Sequence, residues 1–474
     1  QFHDLLAGTA LYSDYEDLRD GVGWACETAQ TSKIEALEAV AKTVDTRGVP
    51  ESAVFLFNPL PWRRKALVEI HGKQDPNKNH DPITHLKTQE GRALPIQWRP
   101  SDSMTPQYPR LTAWVELPAC GYKVLELAHG EPPAPGRYVE NCAIAGDAFG
   151  VRSLRADDGT DLLARALGLV VIKDTSDTWG HGVTEYREEI GRPAFVSSEL
   201  VEDGPITRVV RQRARWRDSE IVLDISRFAE LDVIELRFVI DWREHEQILK
   251  LELPSALSAP KVFAKVPGAT LRRSPNGAEE PCQDWVAVEG TVAGRDYTLG
   301  LLNQGTYSYD CLDGLLRTVL IRSAPFARHM PAEVPPDDNN AWQDQGRQER
   351  VFRLLARRGV CADQDFDRAA DELQTPAEYV MDSAHRGHAG WEKSFFEVSP
   401  AGVEVLAIKR AEAGTGTIVR VRNGRPVATE AVVASAVLGL RHAMPLAPFQ
   451  IKSLLLRPGS AGQFEAEAVS LLER

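Results

Sequence analysis

Short apolar or alternating runs recur along most of this chain with almost no helical stretch between them, and that spacing constrains the fold more than any other feature. Residues 209–216, 220–228, 233–241 and 248–253 each alternate or run apolar, with polar connections between them. A strand that buries one face needs a second layer. With no helices to supply it, the layer is another sheet, so the pattern predicts a large antiparallel sandwich. We assign it to residues 137–376. Earlier runs at 53–57, 65–71, 111–117 and 122–127 predict a small β-sandwich over 51–130, opened by the turn Asn58-Pro59-Leu60-Pro61-Trp62. The Lys-, Asn- and Asp-rich segment 75–81 reads as an exposed hairpin loop. Residues 129–136, with three prolines and two glycines, read as a linker. A β-rich stretch at 394–456 predicts a C-terminal β-domain over 377–458, with 459–474 as a tail.

Helical periodicity is confined to two places. Tyr15, Leu18, Val22, Ala25, Ala29, Ile34, Leu37, Val40 and Val44 fall near helical spacing, and Ser13 with Glu16 has the spacing of a capping box. Gly21 and Gly23 weaken that helix by about 1 kcal/mol each and suggest a break. Gly48 and Pro50 stop it. Residues 1–50 therefore read as the remnant of a helical bundle. A second, brief signal covers 366–373. No internal repeat is present. The fold class expected is mainly β.

Composition narrows function. A chain of 474 residues with 26% charged and 43% hydrophobic side chains is globular and long enough for roughly three domains at about 150 residues each. A net charge of -13 argues against nucleic acid and anionic membrane as partners, since both select basic patches. No apolar run approaches the ~20 residues of a membrane span, and no secretory leader is seen, although one could have been removed. The six cysteines (Cys26, Cys120, Cys142, Cys282, Cys311, Cys361) are scattered without a paired motif. Reduced thiols and a cytoplasmic protein are expected.

Candidate chemistry begins at Gln1-Phe2-His3-Asp4-Leu5-Leu6, an apolar and charged opening that reads like the interior of a larger protein. His3 and Asp4 place an imidazole and a carboxylate at one backbone position. The first suits zinc, the second sugar hydroxyls or metal. The plainer alternative is a helix start with an incidental histidine. Tyr307 and Tyr309 read either as sugar contacts or as a strand-edge aromatic pair. Trp179 and His181 either line a groove or, for the tryptophan, lie in the core, which is the commoner fate. His80 and His85 are expected to be solvent-exposed. Asp337, Asp338, Asn339 and Asn340 lack the ligand spacing of a calcium loop and read as solvated.

The segment from Gln1 through Thr9, followed by Tyr12-Ser13-Asp14-Tyr15-Glu16-Asp17, resembles glycoside hydrolase family 38 α-mannosidases of bacterial type. The likeness recurs in order. Phe57-Asn58-Pro59-Leu60 with Trp62, Glu140-Asn141, Asp177 with Trp179 and His181-Gly182-Val183, Leu301-Leu302-Asn303, Tyr307 to Asp310, Arg322-Ser323-Ala324-Pro325 and Asp344-Gln345-Gly346 all resemble family segments. Each is weak alone, and their shared order carries the resemblance. Two departures stand out: Gln348 where the family has histidine after the Asp-Gln-Gly loop, and Cys142 where it has an acid.

The resemblance implies a small β-sandwich, a large galactose-mutarotase-like supersandwich and a C-terminal β-domain, all following a catalytic barrel that this chain does not contain. It implies that His3 is one ligand of a catalytic zinc. It also implies that Asp4 contacts mannose, and that Tyr307, Tyr309, Asp344, Gln345 and Gly346 help complete the sugar pocket. The two catalytic carboxylates and the other zinc ligands would lie in the missing barrel, so no catalytic residue is expected here and the chain alone should be inactive. Expected partners are α-mannoside oligosaccharides and that barrel, with oligomeric state open. The alternative is a stand-alone carbohydrate-binding or scaffold β-sandwich protein.

Overall fold

The computed structural model describes residues 10–50, 52–71, 82–100, 109–327, 341–363, 365–459 and 464–473. His3, Asp4, His80, all of the 75–81 loop and the 337–340 segment lie outside them. The architecture is mainly β, with two α-helices among the described residues.

Helix α1 spans Tyr12–Ala41 without a break. Gly21 and Gly23 lie in open space within it, so they weaken the helix without kinking it. The expected capping box is absent. Leu11 occupies the cap position with no side-chain hydrogen bond, and Ser13 lies inside the first turn. Only Leu37 and Ala41 are buried, against Val44, Ala53, Phe55, Tyr122 and Trp391. Lys33 adds an ion pair to Glu378 at 2.6 Å. Most of the helix projects an exposed surface that includes Leu11, Val22 and Trp24, the last 73% exposed.

The small sandwich orders its strands as Arg64–His71, Arg110–Leu117, Ala93–Arg99, His85–Lys87, Gly121–Ala128, Ala53–Asn58 and Glu378–Asp382. Its core holds Val54, Leu56, Val68, Ile70, Val115 and Leu125. The double-proline turn is fixed by Asn58, whose Nδ2 donates to the carbonyls of Trp62 and Pro118 at 2.9 and 2.8 Å. His85 is buried in its strand, not exposed as expected, and its Nδ1 lies 3.0 Å from Thr84 Oγ1.

Two domain limits need correction. Glu378–Asp382 pairs with Ala53–Asn58, and Glu392–Ser394 pairs with Gly121–Ala128, so 378–394 belongs to the small sandwich rather than to the C-terminal domain. Ala53–Asn58 is buried on nearly every side and needs a neighbour at each edge. Val380 and Trp391 complete that packing from far along the chain. The expected tail also forms a strand: Phe464–Val469 pairs with Ile451–Pro458, and Phe464 and Ala466 pack on the local core.

The large unit stacks two antiparallel sheets. The nine-stranded sheet runs Ala194–Asp203, Thr207–Trp216, Ser219–Phe228, Leu231–Trp242, Gly346–Arg358, Arg295–Gln304, Trp285–Val292, Ser258–Val266 and Ala269–Arg273. The six-stranded sheet runs Glu189–Gly191, Gly168–Lys173, Gln247–Pro254, Leu315–Arg322, Ser308–Leu312 and Glu280–Pro281. Alternate residues such as Ile221, Leu223, Ile225, Leu236, Phe238 and Ile240 meet Leu249, Leu251 and Leu316 between them.

Helix α2, Phe366–Gln374, is capped by Asp365, whose carboxylate accepts from Arg368 N. Its Phe366, Ala370 and Leu373 wedge into a core shared by both sandwiches, beside Trp114, Phe228 and Trp285. The C-terminal unit packs a three-stranded sheet on a four-stranded one. No helix is long and apolar enough to cross a membrane. All six cysteines are free, and burial pushes the Cys282, Cys311 and Cys361 thiols up to about 12.

Candidate functional site

Three of the segments singled out from the sequence meet at one end of the large sandwich. The loop after Gly168–Lys173 carries Asp174, Asp177, Trp179 and His181. The end of Leu315–Arg322 carries Arg322, and the loop before Gly346–Arg358 carries Asp344 and Gln345. Gly168–Lys173 and Leu315–Arg322 flank Gln247–Pro254 and both run antiparallel to it, so their C-terminal ends reach the same edge, while Gly346–Arg358 starts in the facing sheet.

Arg322 organises them. Its Nε donates to Asp174 Oδ2 at 2.8 Å and its Nη1 to Thr178 O at 2.9 Å. Its Nη2 donates to Ser176 Oγ at 3.0 Å and Asp177 O at 2.9 Å. Its backbone N–H donates to Asp344 Oδ2 at 3.0 Å, which ties the Asp-Gln-Gly loop to the same residue. Asp177 is fully buried and holds His181 through Nδ1 at 2.6 Å, while its other oxygen accepts the His181 backbone N–H at 3.0 Å. The imidazole is thereby fixed in orientation. Trp179 stacks on it with ring centres 6.0 Å apart and remains 44% exposed. This tryptophan is not core. The turn that presents it uses Gly180 and Gly182, both at positive φ (64° and 71°).

Asp344 itself adopts φ 52° and Gly346 φ 73°. Burial pushes the Asp344 carboxyl up from its ordinary value, opposed by the Arg322 backbone N–H and the Arg350 charge. Gln345 Nε2 donates to Glu244 O at 3.0 Å, and Gln348 Nε2 to Gln345 O at 3.1 Å. Gln348, at the position where histidine was expected, thus braces the loop from behind. His245 and Trp342 stack in parallel at 4.4 Å beside it.

Phe326, four residues beyond Arg322, packs against Tyr12 and Tyr15 at 5.5 and 5.0 Å between ring centres. The first turn of α1 therefore lies against this cluster.

The structure brings together Asp344, Gln345, Gly346, Trp179 and His181. It separates the two tyrosines. Tyr307 is 65% exposed, and its carbonyl accepts from Cys282 N at 3.0 Å. Tyr309 is 2% exposed within the sandwich core, its hydroxyl 3.4 Å from Arg273 Nη1, with its pKa raised by burial. Asp174 and Arg322 were missed as functional residues. The signals available were a charged residue closing an otherwise apolar strand and, for Arg322, its place in the family-like segment Arg322-Ser323-Ala324-Pro325.

Stacked two-sheet packing, a return strand into a smaller sandwich and a loop cluster at one sandwich edge define a multi-sandwich β-protein. Residues 165–337 match the family model described as "Glycosyl hydrolases family 38 C-terminal domain". That stretch is therefore similar to the family's C-terminal domain. Among solved structures, a family 38 protein from Enterococcus faecalis matches 94% of this chain and 63% of its own, with TM-score 0.73 and 14% identity. An alpha-mannosidase from Enterococcus faecalis V583 matches with TM-score 0.72 and 14% identity, covering 94% of this chain and 60% of its own. At that identity the likeness is one of fold, and the chain spans about three-fifths of the length of those structures. No curated protein matches it.

Proposed function

We propose that this chain is the C-terminal part of a zinc-dependent retaining α-mannosidase, and that it acts in α-mannoside hydrolysis by completing a sugar pocket whose catalytic groups lie elsewhere. The observation that carries this is the contact of Phe326 with Tyr12 and Tyr15. It links the family 38 domain to the start of α1, a few residues after His3 and Asp4. In this reading His3 supplies one zinc ligand and Asp4 holds a mannose hydroxyl by a charge-assisted hydrogen bond. Trp179, Tyr307, Asp344, Gln345 and Gly346 face the sugar, while Tyr309, buried in the sandwich core beside Arg273, does not reach it.

Among the described residues no group of three His, Cys, Asp or Glu side chains gathers to hold a metal. The described part therefore does not fit zinc alone, and the metal is assigned to the missing barrel with His3 as a contributor. Retention needs two carboxyl groups about 5–5.5 Å apart and free to react. The buried carboxylates of the loop cluster are already engaged, Asp174 by Arg322 and Asp177 by His181. A structural role suits them better. The exposed apolar surface of α1 around Trp24 also fits a helix meant to be covered by more protein. Six unpaired cysteines suit a cytoplasmic setting.

The test is direct. The purified 474-residue chain should hydrolyse no aryl α-mannoside with or without added zinc, while the longer protein should do so. Zinc-dependent turnover by this polypeptide alone would overturn the reading.

A further inference from the structure

The small sandwich and the nine-stranded sheet enclose two adjoining cavities, about 370 and 750 Å³, and Arg64 and Trp114 line both. Arg64 is 6% exposed, yet its Nε and Nη2 have no acceptor, and the indole N–H of the buried Trp114 has none either. Three donor atoms without acceptors thus stand where the cavities meet. Nearby carboxylates do not serve them. Glu202 is taken by Arg99 at 2.8 Å, Asp224 by Arg211 at 2.7 Å and Glu235 by Arg353 at 2.9 Å. Glu372 accepts from Trp62 Nε1 at 3.1 Å; its charge favours the Arg64 guanidinium, but it makes no hydrogen bond or ion pair with it among the described residues. Arg64 is the buried cation left over.

A buried guanidinium without a partner costs several kcal/mol, and evolution seldom keeps one unless something neutralises it. Its planar edge presents parallel N–H groups that match two oxygens of one anion. An indole only donates. Together they select an acceptor-only group bearing negative charge. The larger cavity adds Arg63, Lys65, Arg92 and Lys123 against Glu116 and Glu230 in its lining and Glu392, which pairs with both Arg63 and Lys123. This is a local positive excess in a chain of net charge -13. Both volumes fall within the range of small-molecule sites.

We propose that this interdomain cleft is a binding site for a small oxyanion of the phosphate class, free or as the phosphoryl group of a small metabolite, seated on Arg64 and Trp114. The site is separate from the Arg322 loop cluster and does not depend on the glycosidase reading.

The experiment is calorimetric and thermal titration of the full chain with inorganic phosphate and, separately, with a hexose 6-phosphate, each against chloride at matched ionic strength. Saturable binding with a dissociation constant of about 1 mM or below is expected for at least one. Binding of inorganic phosphate identifies the free ion as ligand, and binding of the hexose phosphate alone identifies a phosphorylated metabolite. Arg64→Gln should weaken whichever binds at least tenfold. It should also leave the ligand-free protein as stable as the parent or more so, because an uncompensated charge is removed. Should Arg64→Gln fail to fold, Trp114→Phe, which keeps a buried ring and deletes one donor, should still weaken binding several-fold. No saturable binding of either ligand by the parent chain overturns the proposal. So does unchanged affinity in Arg64→Gln.

Discussion

Arg322 joins more of the loop cluster than any other side chain, because its guanidinium donates to one carboxylate, one hydroxyl and two backbone carbonyls. Replacing it with alanine strands Asp174, whose side chain is fully buried, as an uncompensated charge. Breaking such a pair from one side costs about 3 kcal/mol or more. Arg322→Ala should therefore lower the unfolding free energy, read from urea titration, by that much. Arg322→Lys should recover little, since an ammonium cannot span the same acceptors. Equal stability in Arg322→Ala would show that the cluster is held by the backbone alone. At this scale the sequence was only half legible. The positive φ of Gly346 follows from its residue type. The fates of Tyr307, Tyr309, Trp179 and His85 do not, because alternation gives two faces without saying which one a distant segment will cover. Tyr309 went into the sandwich and Tyr307 to the surface only once the second sheet was in place.

Elements were more legible than residues. The runs read at 209–216, 220–228, 233–241 and 248–253 became strands Thr207–Trp216, Ser219–Phe228, Leu231–Trp242 and Gln247–Pro254. Alternation survives when one face meets a core, so boundaries moved by no more than two residues. Helix α1 was found but its cap was not: Ser13 and Glu16 match the capping spacing, yet the chain enters the helix earlier. Helix α2 carries a chemical consequence as well as a packing one. Its Asp371 sits near Glu404, Asp367 and Asp284, and burial first, then those like charges, push its carboxyl from 3.8 up to about 7. Below about pH 4 the group is protonated in both folded and unfolded chains. Between there and about pH 7 the folded state holds the extra proton, so stability falls as pH rises through that window. Denaturation midpoints at about pH 5 and about pH 8 should show a loss that Asp371→Asn reduces, since an amide has nothing to ionise. An identical pH slope in the variant would place the titrating group elsewhere.

At the scale of the whole molecule the chain is sewn together rather than strung out. Residues 378–394 return to the small sandwich, α2 wedges between both sandwiches, and Lys265 bridges Asp367 at 2.8 Å and Glu404 at 2.7 Å, tying the C-terminal unit to the large one. None of these long-range ties is written in local periodicity. The loop cluster and the first turn of α1 then share one side through Phe326. If the longer protein is the mannosidase proposed, the residues just before that turn should divide their labour. His3→Ala in that protein should lose zinc, because one of about four ligands goes and binding energy is strongly shared among them. Asp4→Asn should keep zinc, since an amide still accepts a hydrogen bond but lacks the charge, while kcat/KM falls by about 2 kcal/mol or more. Metal analysis and kinetics of the two variants separate the roles. Stoichiometric zinc and an unchanged rate in His3→Ala would detach the opening stretch from the metal. The oxyanion cleft at Arg64 would be untouched by that outcome, because nothing in its geometry depends on where the zinc is held.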